Sequence, residues 1–554
     1  MTDDAYDRSG VDPVGEVTDA SAAHQRHGEK LSSLDAAFLE MESNTRPMHV
    51  GGLFIFDPPE GDRRFSFGQF VDLVQSRLHL IPRYRQRIIE APLHLGTARW
   101  IDDKEFDLAY HVRHAALPTP GTTQQLNEYA ARILSRRLDR DRPLWELYVI
   151  EGLEHGRIAV LGKTHHAMID GLAGIDIATV MLDLAPDQSD RIPDPEPWLP
   201  QPTPSSKTLA ADSIRGLVTS PAELTESVGR LARRPRVLAR RALEVGRGVS
   251  RVATSSLVRP APPSLLNQEP SAHRRFAIQR VRLERIKAIK DAFATTVNDV
   301  VLSVIADATG RYLRHRGAST DGVWLRAMVP VSTRQSSEEH HLGNRVVAVF
   351  VDLPMFEMDP VERLRVVHDG MSEVKSSHAA VGAGFLIGLG EFAPPTLHAM
   401  ASRIAVNSRV FNFLVTNVPG PQGPIYCLGA RLLGAFPFTP LAAHHSYGVG
   451  VTSMDGWLNV GFVADYDALP DVEVVPGMLM ESVEELAVCA AAVSERAAHL
   501  EATRRAPPVG EMGPPGGTDE AGRTGAADRS GEADPSGVVD GSGAGDPTGA
   551  DAES

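Results

Sequence analysis

"GKTHHAMIDGLAG", residues Gly162 to Gly174, sets two adjacent histidines, a carboxylate four residues on and a glycine directly after an apolar run. The preceding "GRIAVLGK" (Gly156 to Lys163) is short, apolar and rich in β-formers, which predicts a buried strand. "PLWELYVIEGL" (Pro143 to Leu153) predicts a second strand ending at a turn near "EHG", so the two make a hairpin. Downstream, Leu172, Ile175, Thr179 and Leu182 recur at helical intervals. The histidines therefore stand where a central strand hands over to a helix. Such a junction aims side chains from rigid elements and leaves backbone N–H groups free.

His165 and His166 are neighbours and cannot both face one way; one packs while the other points into a cavity. Asp170 follows His166 by one helical turn, and Gly171 removes a side chain where the backbone turns or passes close to something. A neutral imidazole can take a proton from an alcohol and return it to a leaving thiolate. The same residues also fit a structural His–Asp pair or a metal pair. Other histidine clusters, "EEHH" (Glu338 to His341) and "AHHS" (Ala443 to Ser446), lack a zinc spacing. There is no G-x-S-x-G elbow, Walker loop or dinucleotide fingerprint, and Cys427 and Cys489 lack the flanks of a catalytic thiol. A histidine base without a protein nucleophile implies direct transfer to the acceptor.

The chain has 554 residues, 42% hydrophobic and 23% charged, too long for one core. Two distant cysteines give no disulfide framework and point to a reducing, cytoplasmic setting. The acidic N-terminus shows no secretory signal, and no apolar run approaches the ~18 residues that span a bilayer. Membrane contact, on the inner face or on lipid droplets, would be peripheral. The net charge of −15 argues against nucleic-acid binding.

Composition divides the chain into a loose leader (1–30), a first lobe (31–184), a Pro-rich and basic connection (185–264), a second lobe (265–502) and an acidic tail (503–554) predicted to be disordered. From Ala506 to Ser554 the tail carries ten acids against two bases. Within the connection, eight arginines between Arg230 and Arg251 face Glu244 alone, with leucines and valines interleaved. They read either as a solvated linker or as a surface for anionic lipid headgroups.

"HHAMIDG" resembles the HHxxxDG motif of CoA-dependent acyltransferases. "LSSLDAAFLEME" with "PMHVGGLFIF" is similar to the opening strand region of the bacterial wax ester synthase/diacylglycerol acyltransferases. "RPLWELYVIEGL", "VNDVVLSVIADATGRYL", "MVPVSTR", "GNRVVAVFVDLP" and "NFLVTNVPGPQGP" follow in that family's order, so the resemblance spans about Leu31 to Ala502. It implies a mixed α/β fold of two lobes, with mixed sheets flanked by helices and a tunnel between the lobes. Acyl-CoA, as co-substrate, would enter one mouth and diacylglycerol or a long-chain alcohol the other, with no further cofactor and no metal. By motif position His166 is the general base, His165 and Asp170 are supports, and Gly171 keeps the channel open. Asn298 and Asp299 shape the site from the second lobe, though Asn and Asp also suit an ordinary helix start. Asn417 and Gly420 shape a loop by the cavity, and Pro143, Leu144 and Trp145 are architectural. Three rival readings stand beside this one: a related acyltransferase with a carrier-bound donor, a non-catalytic lipid-binding protein and a metal hydrolase.

Overall fold

A computed structural model of the chain describes residues 28–61, 64–90, 98–168, 180–186, 197–205, 208–209, 260–332, 346–376 and 410–505. The strands before the motif are β1 (Glu29–Lys30), β2 (His49–Phe56), β3 (Gln86–Ile89), β4 (Arg99–Asp102), β5 (Val112–Ala116), β6 (Trp145–Glu151) and β7 (Ile158–His165). Helices α1 (Ser33–Met41), α2 (Phe67–Arg77) and α3 (Thr123–Leu134) lie among them. Later strands are β8 (Arg274–Arg282), β9 (Trp324–Ser332), β10 (Val346–Pro354), β11 (Phe413–Pro419), β12 (Tyr426–Cys427), β13 (Ala430–Phe438), β14 (Tyr447–Met454) and β15 (Trp457–Asp465). With them run α4 (Leu283–Ala292), α5 (Val297–His315), α6 (Pro360–Ser376) and α7 (Val475–Arg505).

The expected hairpin is present: β6 pairs antiparallel with β7, from Trp145 opposite Thr164 to Ile150 opposite Ala159. All eight residues of β7 are buried, as its unbroken apolar run requires. The strand is central in a six-stranded sheet of order β12-β13-β2-β7-β6-β5. A second six-stranded sheet, β10-β9-β11-β14-β15-β8, is mixed, because β11 runs parallel to both its neighbours. Helix α5 is buried almost throughout, from Asp299 to Gly310 without a break, and packs with α6 against β10. Its start follows from "TVND": Thr296 and Asp299 form a reciprocal capping box.

The two sheets are tied together by β13, which comes late in the chain yet pairs with β2 in the first sheet. It crosses β14 and β15 so closely that a Cβ on Gly461 would stand 2.1 Å from the Pro437 carbonyl oxygen. Only glycine allows that approach. Leu53, Phe276, Phe436, Phe438 and Val463 fill the layer between the sheets. Described residues up to Ala498 belong to one compact unit, and the last turns of α7 to a second.

One expected strand region is half helix. "PMHVGGLFIF" is β2, but "SLDAAFLEM" is α1, started by the Ser32 side chain accepting from the Asp35 N–H. Helix formers behind a serine cap outweigh the neighbouring strand signal. Residues 169–179 lie outside the described set and include Asp170, Gly171 and most of the predicted helix, of which Val180 and Met181 are described and helical. Also outside are residues 1–27, most of the connection including 230–251, Glu338 to His341, and the tail from 506. No single described helix is long and apolar enough to cross a membrane.

Candidate active site

The end of β7 is held from three sides. The His165 N–H donates to the Leu144 carbonyl at 2.9 Å, and the His166 N–H donates to the Met48 carbonyl at 2.8 Å. Trp145 is fully buried, donates its indole N–H to the Tyr84 carbonyl at 2.8 Å and stacks on His111. The "PLW" element is therefore a backbone anchor for the histidines.

The two rings have different surroundings. His165 is fully buried, and its Nδ1 accepts from the Ala167 N–H at 3.0 Å. The neutral ring then carries its proton on Nε2, 3.7 Å from Glu42 Oε1. His166 is half-buried, and its ring stacks on Phe38 of α1 at 3.7 Å between centroids. Its Nδ1 has no hydrogen-bond partner among the described residues. Burial lowers the pKa of both rings to about 4, against the opposing pull of Glu42 in the case of His165. Both are neutral near pH 7.

Glu42 was not singled out in the sequence. Its side chain is buried and accepts from Arg137 and Arg140, each at 2.9 Å. Burial opposes its charge, but His165, Arg137 and Arg140 outweigh that and hold the pKa below the usual carboxylate range. A single acid after "AFLEM" has no local signal, because its partners come from α3's far end and β7. The same region satisfies the C-terminal carbonyls of α3. His49, opposite His165 in the ladder, donates Nε2–H to the Leu134 carbonyl at 2.9 Å. Lys163 Nζ reaches the Arg136 and Ile133 carbonyls at 2.5 and 3.3 Å. Donors and a cation at a helix C-terminus are favourable. Lys163 has its pKa lowered to about 8 by burial, against the pull of Glu146.

The buried rings make stability depend on pH. The pKa of His111 and His165 is lowered to about 4 from 6.5, with burial the main cause in each, and that of His49 falls well below 6.5. The unfolded chain therefore binds protons that the folded chain excludes. Stability is complete above about pH 6.5 and declines as pH falls towards 4, by up to roughly 3 kcal/mol for each of His111 and His165. Urea midpoints measured at pH 7.5, 6 and 5 should fall in that order; a flat series would contradict it.

The second group of expected residues comes together on α5 and β11. Asn417 Nδ2 donates to Asn298 Oδ1 at 3.3 Å. Asp299 closes the capping box and pairs with His368 Nδ1 at 2.7 Å, so its carboxylate is engaged in holding α5 in place. Gly420 donates its N–H to the Ser453 carbonyl at 2.7 Å. No hydrogen bond joins the His165–Ala167 turn to the Asn298–Asn417 pair among the described residues. In "AHHS", both ring nitrogens of His445 face backbone carbonyls, of Ala443 and Phe411.

The mixed α/β fold, with paired histidines at the end of a central strand, agrees with the resemblance to the CoA-dependent acyltransferases. The first condensation domain of the calcium-dependent antibiotic synthetase shares the fold, at 15% identity and a TM-score of 0.50 over 84% of this chain and 96% of that domain. A solved wax ester synthase/diacylglycerol acyltransferase from Marinobacter aquaeolei VT8 is 28% identical, with a TM-score of 0.62 over 84% of this chain and all of that one (100%). Residues 31–301 match the wax ester synthase/diacylglycerol acyltransferase catalytic domain, and residues 342–487 the WS/DGAT C-terminal domain. Two Mycobacterium tuberculosis proteins, named "Probable diacylglycerol O-acyltransferase" tgs1 and tgs2, are each 34% identical. The matches cover 84% and 82% of this chain and 96% and 97% of theirs. The chain belongs to the wax ester synthase/diacylglycerol acyltransferase family and is an acyltransferase.

Proposed function

We propose that this enzyme moves a long-chain acyl group from acyl-CoA to the hydroxyl of diacylglycerol, with His166 as general base. The observation that carries this reading is the His166 ring: neutral and half-buried at a rigid strand end, with a buried Nδ1 that has no hydrogen-bond partner among the described residues. The imidazole removes the hydroxyl proton as the oxygen attacks the thioester carbonyl. The carbon–sulfur bond of the tetrahedral adduct then breaks, and the imidazolium returns the proton to the departing CoA thiolate. No covalent acyl-enzyme forms.

The adduct's oxyanion needs donors. Asn298 is our candidate, since its Oδ1 accepts from Asn417 and leaves Nδ2 to donate, together with backbone N–H groups. His165, Asp170 and Gly171 support the base, and Asp299 and Asn417 hold Asn298. The substrates meet in a tunnel between lobes 31–184 and 265–502. Acid–base assistance supplies about 10²–10⁴ in rate, and positioning with oxyanion stabilisation supplies the rest.

The names of the curated relatives favour diacylglycerol as acceptor; the Marinobacter enzyme's name, which joins wax ester synthase to diacylglycerol acyltransferase, keeps a long-chain alcohol as the second reading. Labelled palmitoyl-CoA offered in parallel to diacylglycerol and hexadecanol decides between them. Triacylglycerol as the main product is expected. Wax ester alone would move the assignment to the second reading, and neither product, with turnover only from a carrier-bound donor, would overturn both.

A further inference from the structure

One end of the layer between the sheets holds a group of arginines that acyl transfer does not use. Cross-strand pairing fixes which side chains share it. Arg280 lies opposite Asn459, Asn459 opposite Thr452, and Arg282 opposite Trp457 two residues along, so all five project from one face. Thr452 Oγ1 donates to the Ala435 carbonyl of β13 at 2.7 Å, which makes this the face covered by the first sheet. Phe276 and Ile278, at the same alternate positions of β8, pack in the shared core layer.

Asn459 is fully buried there, and neither its Nδ2 nor its Oδ1 has a hydrogen-bond partner among the described residues. Arg280 Nε is also buried without one. Buried polar groups are costly when unpaired, so a cluster of them asks for an occupant. Gly434 of β13 packs closely against the amide: a Cβ on it would stand 2.8 Å from Asn459 Oδ1.

The charge is positive and incompletely neutralised. Arg280 and Arg282 place Cζ 4.0 and 3.9 Å from the centre of the Trp457 ring. From the first sheet come Arg157, paired with Asp57 at 3.1 Å, and Arg431, paired with Asp455 at 2.8 Å. Among the described residues, these four guanidinium groups thus meet two carboxylates, in a chain whose net charge is −15. Burial, then repulsion from Arg157 and Arg282, lowers the pKa of Arg280 to about 10. Helix α4 begins at the cluster, and its N-cap residue Arg282 supplies no side-chain cap.

We propose that Arg157, Arg280, Arg282 and Arg431, with the amide of Asn459, form a binding site for a phosphate group. Planar guanidinium forks match phosphate oxygens, and Asn459 Nδ2 adds a neutral donor. Arg157 precedes β7 and the histidines stand at its other end, a strand length of about 25 Å away. The phosphate could belong to a free ester, such as the nucleotide part of CoA, or to a phospholipid headgroup; the recognition chemistry is the same.

The test uses the full chain at constant ionic strength, with sodium chloride as the reference. Inorganic phosphate and adenosine 3',5'-bisphosphate are titrated by calorimetry, and flotation is measured on phosphatidylcholine vesicles containing phosphatidic acid. Saturable binding of at least one probe is expected. The double variant Arg282→Gln/Arg431→Gln, at exposed positions compatible with folding, should raise its Kd ten-fold or more. Response to the bisphosphate alone assigns the site to a free ester, and to vesicles alone to a headgroup; either supports the proposal. No saturable response beyond that of chloride, or equal binding by the double variant, overturns it.

Discussion

His166→Ala should leave a folded protein that forms ester at least about a thousand-fold more slowly. The effect on stability is small because the ring is half-buried and makes no side-chain hydrogen bond among the described residues. What is lost is the Phe38 contact at 3.7 Å, a packing term of about 1 kcal/mol. The effect on rate is large because the proposed base itself is removed: His165 spends its Nδ1 on the Ala167 N–H, and His49, whose Nδ1 also lacks a partner among the described residues, is buried behind it in the ladder. Single-turnover rates with acyl-CoA and diacylglycerol, alongside near-ultraviolet circular dichroism, check both halves. A folded variant with undiminished turnover would refute the assignment. His165→Ala should lower turnover less, while lowering stability more, since that ring is fully buried. The pH profile supplies a companion reading. A ring held at about 4 keeps kcat/KM flat through neutrality, with an acid limb well below pH 6.

Glu42→Gln should lower kcat about ten- to a hundred-fold with little change in KM. The carboxylate stands 3.7 Å from the protonated Nε2 of His165, and that tautomer leaves Nδ1 to accept from the Ala167 N–H in the His166 turn. Removing the charge weakens the reason for that tautomer and loosens the turn, so the loss falls on the chemical step rather than on binding. Arg137 and Arg140 are about one-third exposed and can turn to water, which limits the stability cost to about 2 kcal/mol. Glu42→Asp should recover part of the rate. Wild-type kcat in the glutamine variant would show that the pair only packs.

The hairpin of β6 and β7 was legible because each strand is a short apolar run bounded by turn residues, and the histidines end it where the sequence placed them. The start of α5 was legible for the same local reason: threonine and aspartate three residues apart satisfy each other's backbone. The α1 region shows the limit. Its likeness to an opening strand region held only for β2, because a serine cap and helix formers decided the segment before it. Glu42 was invisible, since an acid at a helix end is ordinary until its partners are known.

Taken alone, the sequence determined the elements whose signals are short in range: a buried strand ending in His165 and His166, the capped helix at Asn298 and Asp299, and motifs in a recognisable order. Only the tertiary structure decided which distant segments meet. It inserted β13 beside β2, brought Glu42 to His165, joined Asn417 to Asn298 and gathered four arginines at one end of the sheet layer. The reason is physical. Caps and periodicity are settled within a turn or two of chain, whereas contacts across hundreds of residues depend on which apolar faces bury each other and where glycine lets two backbones touch.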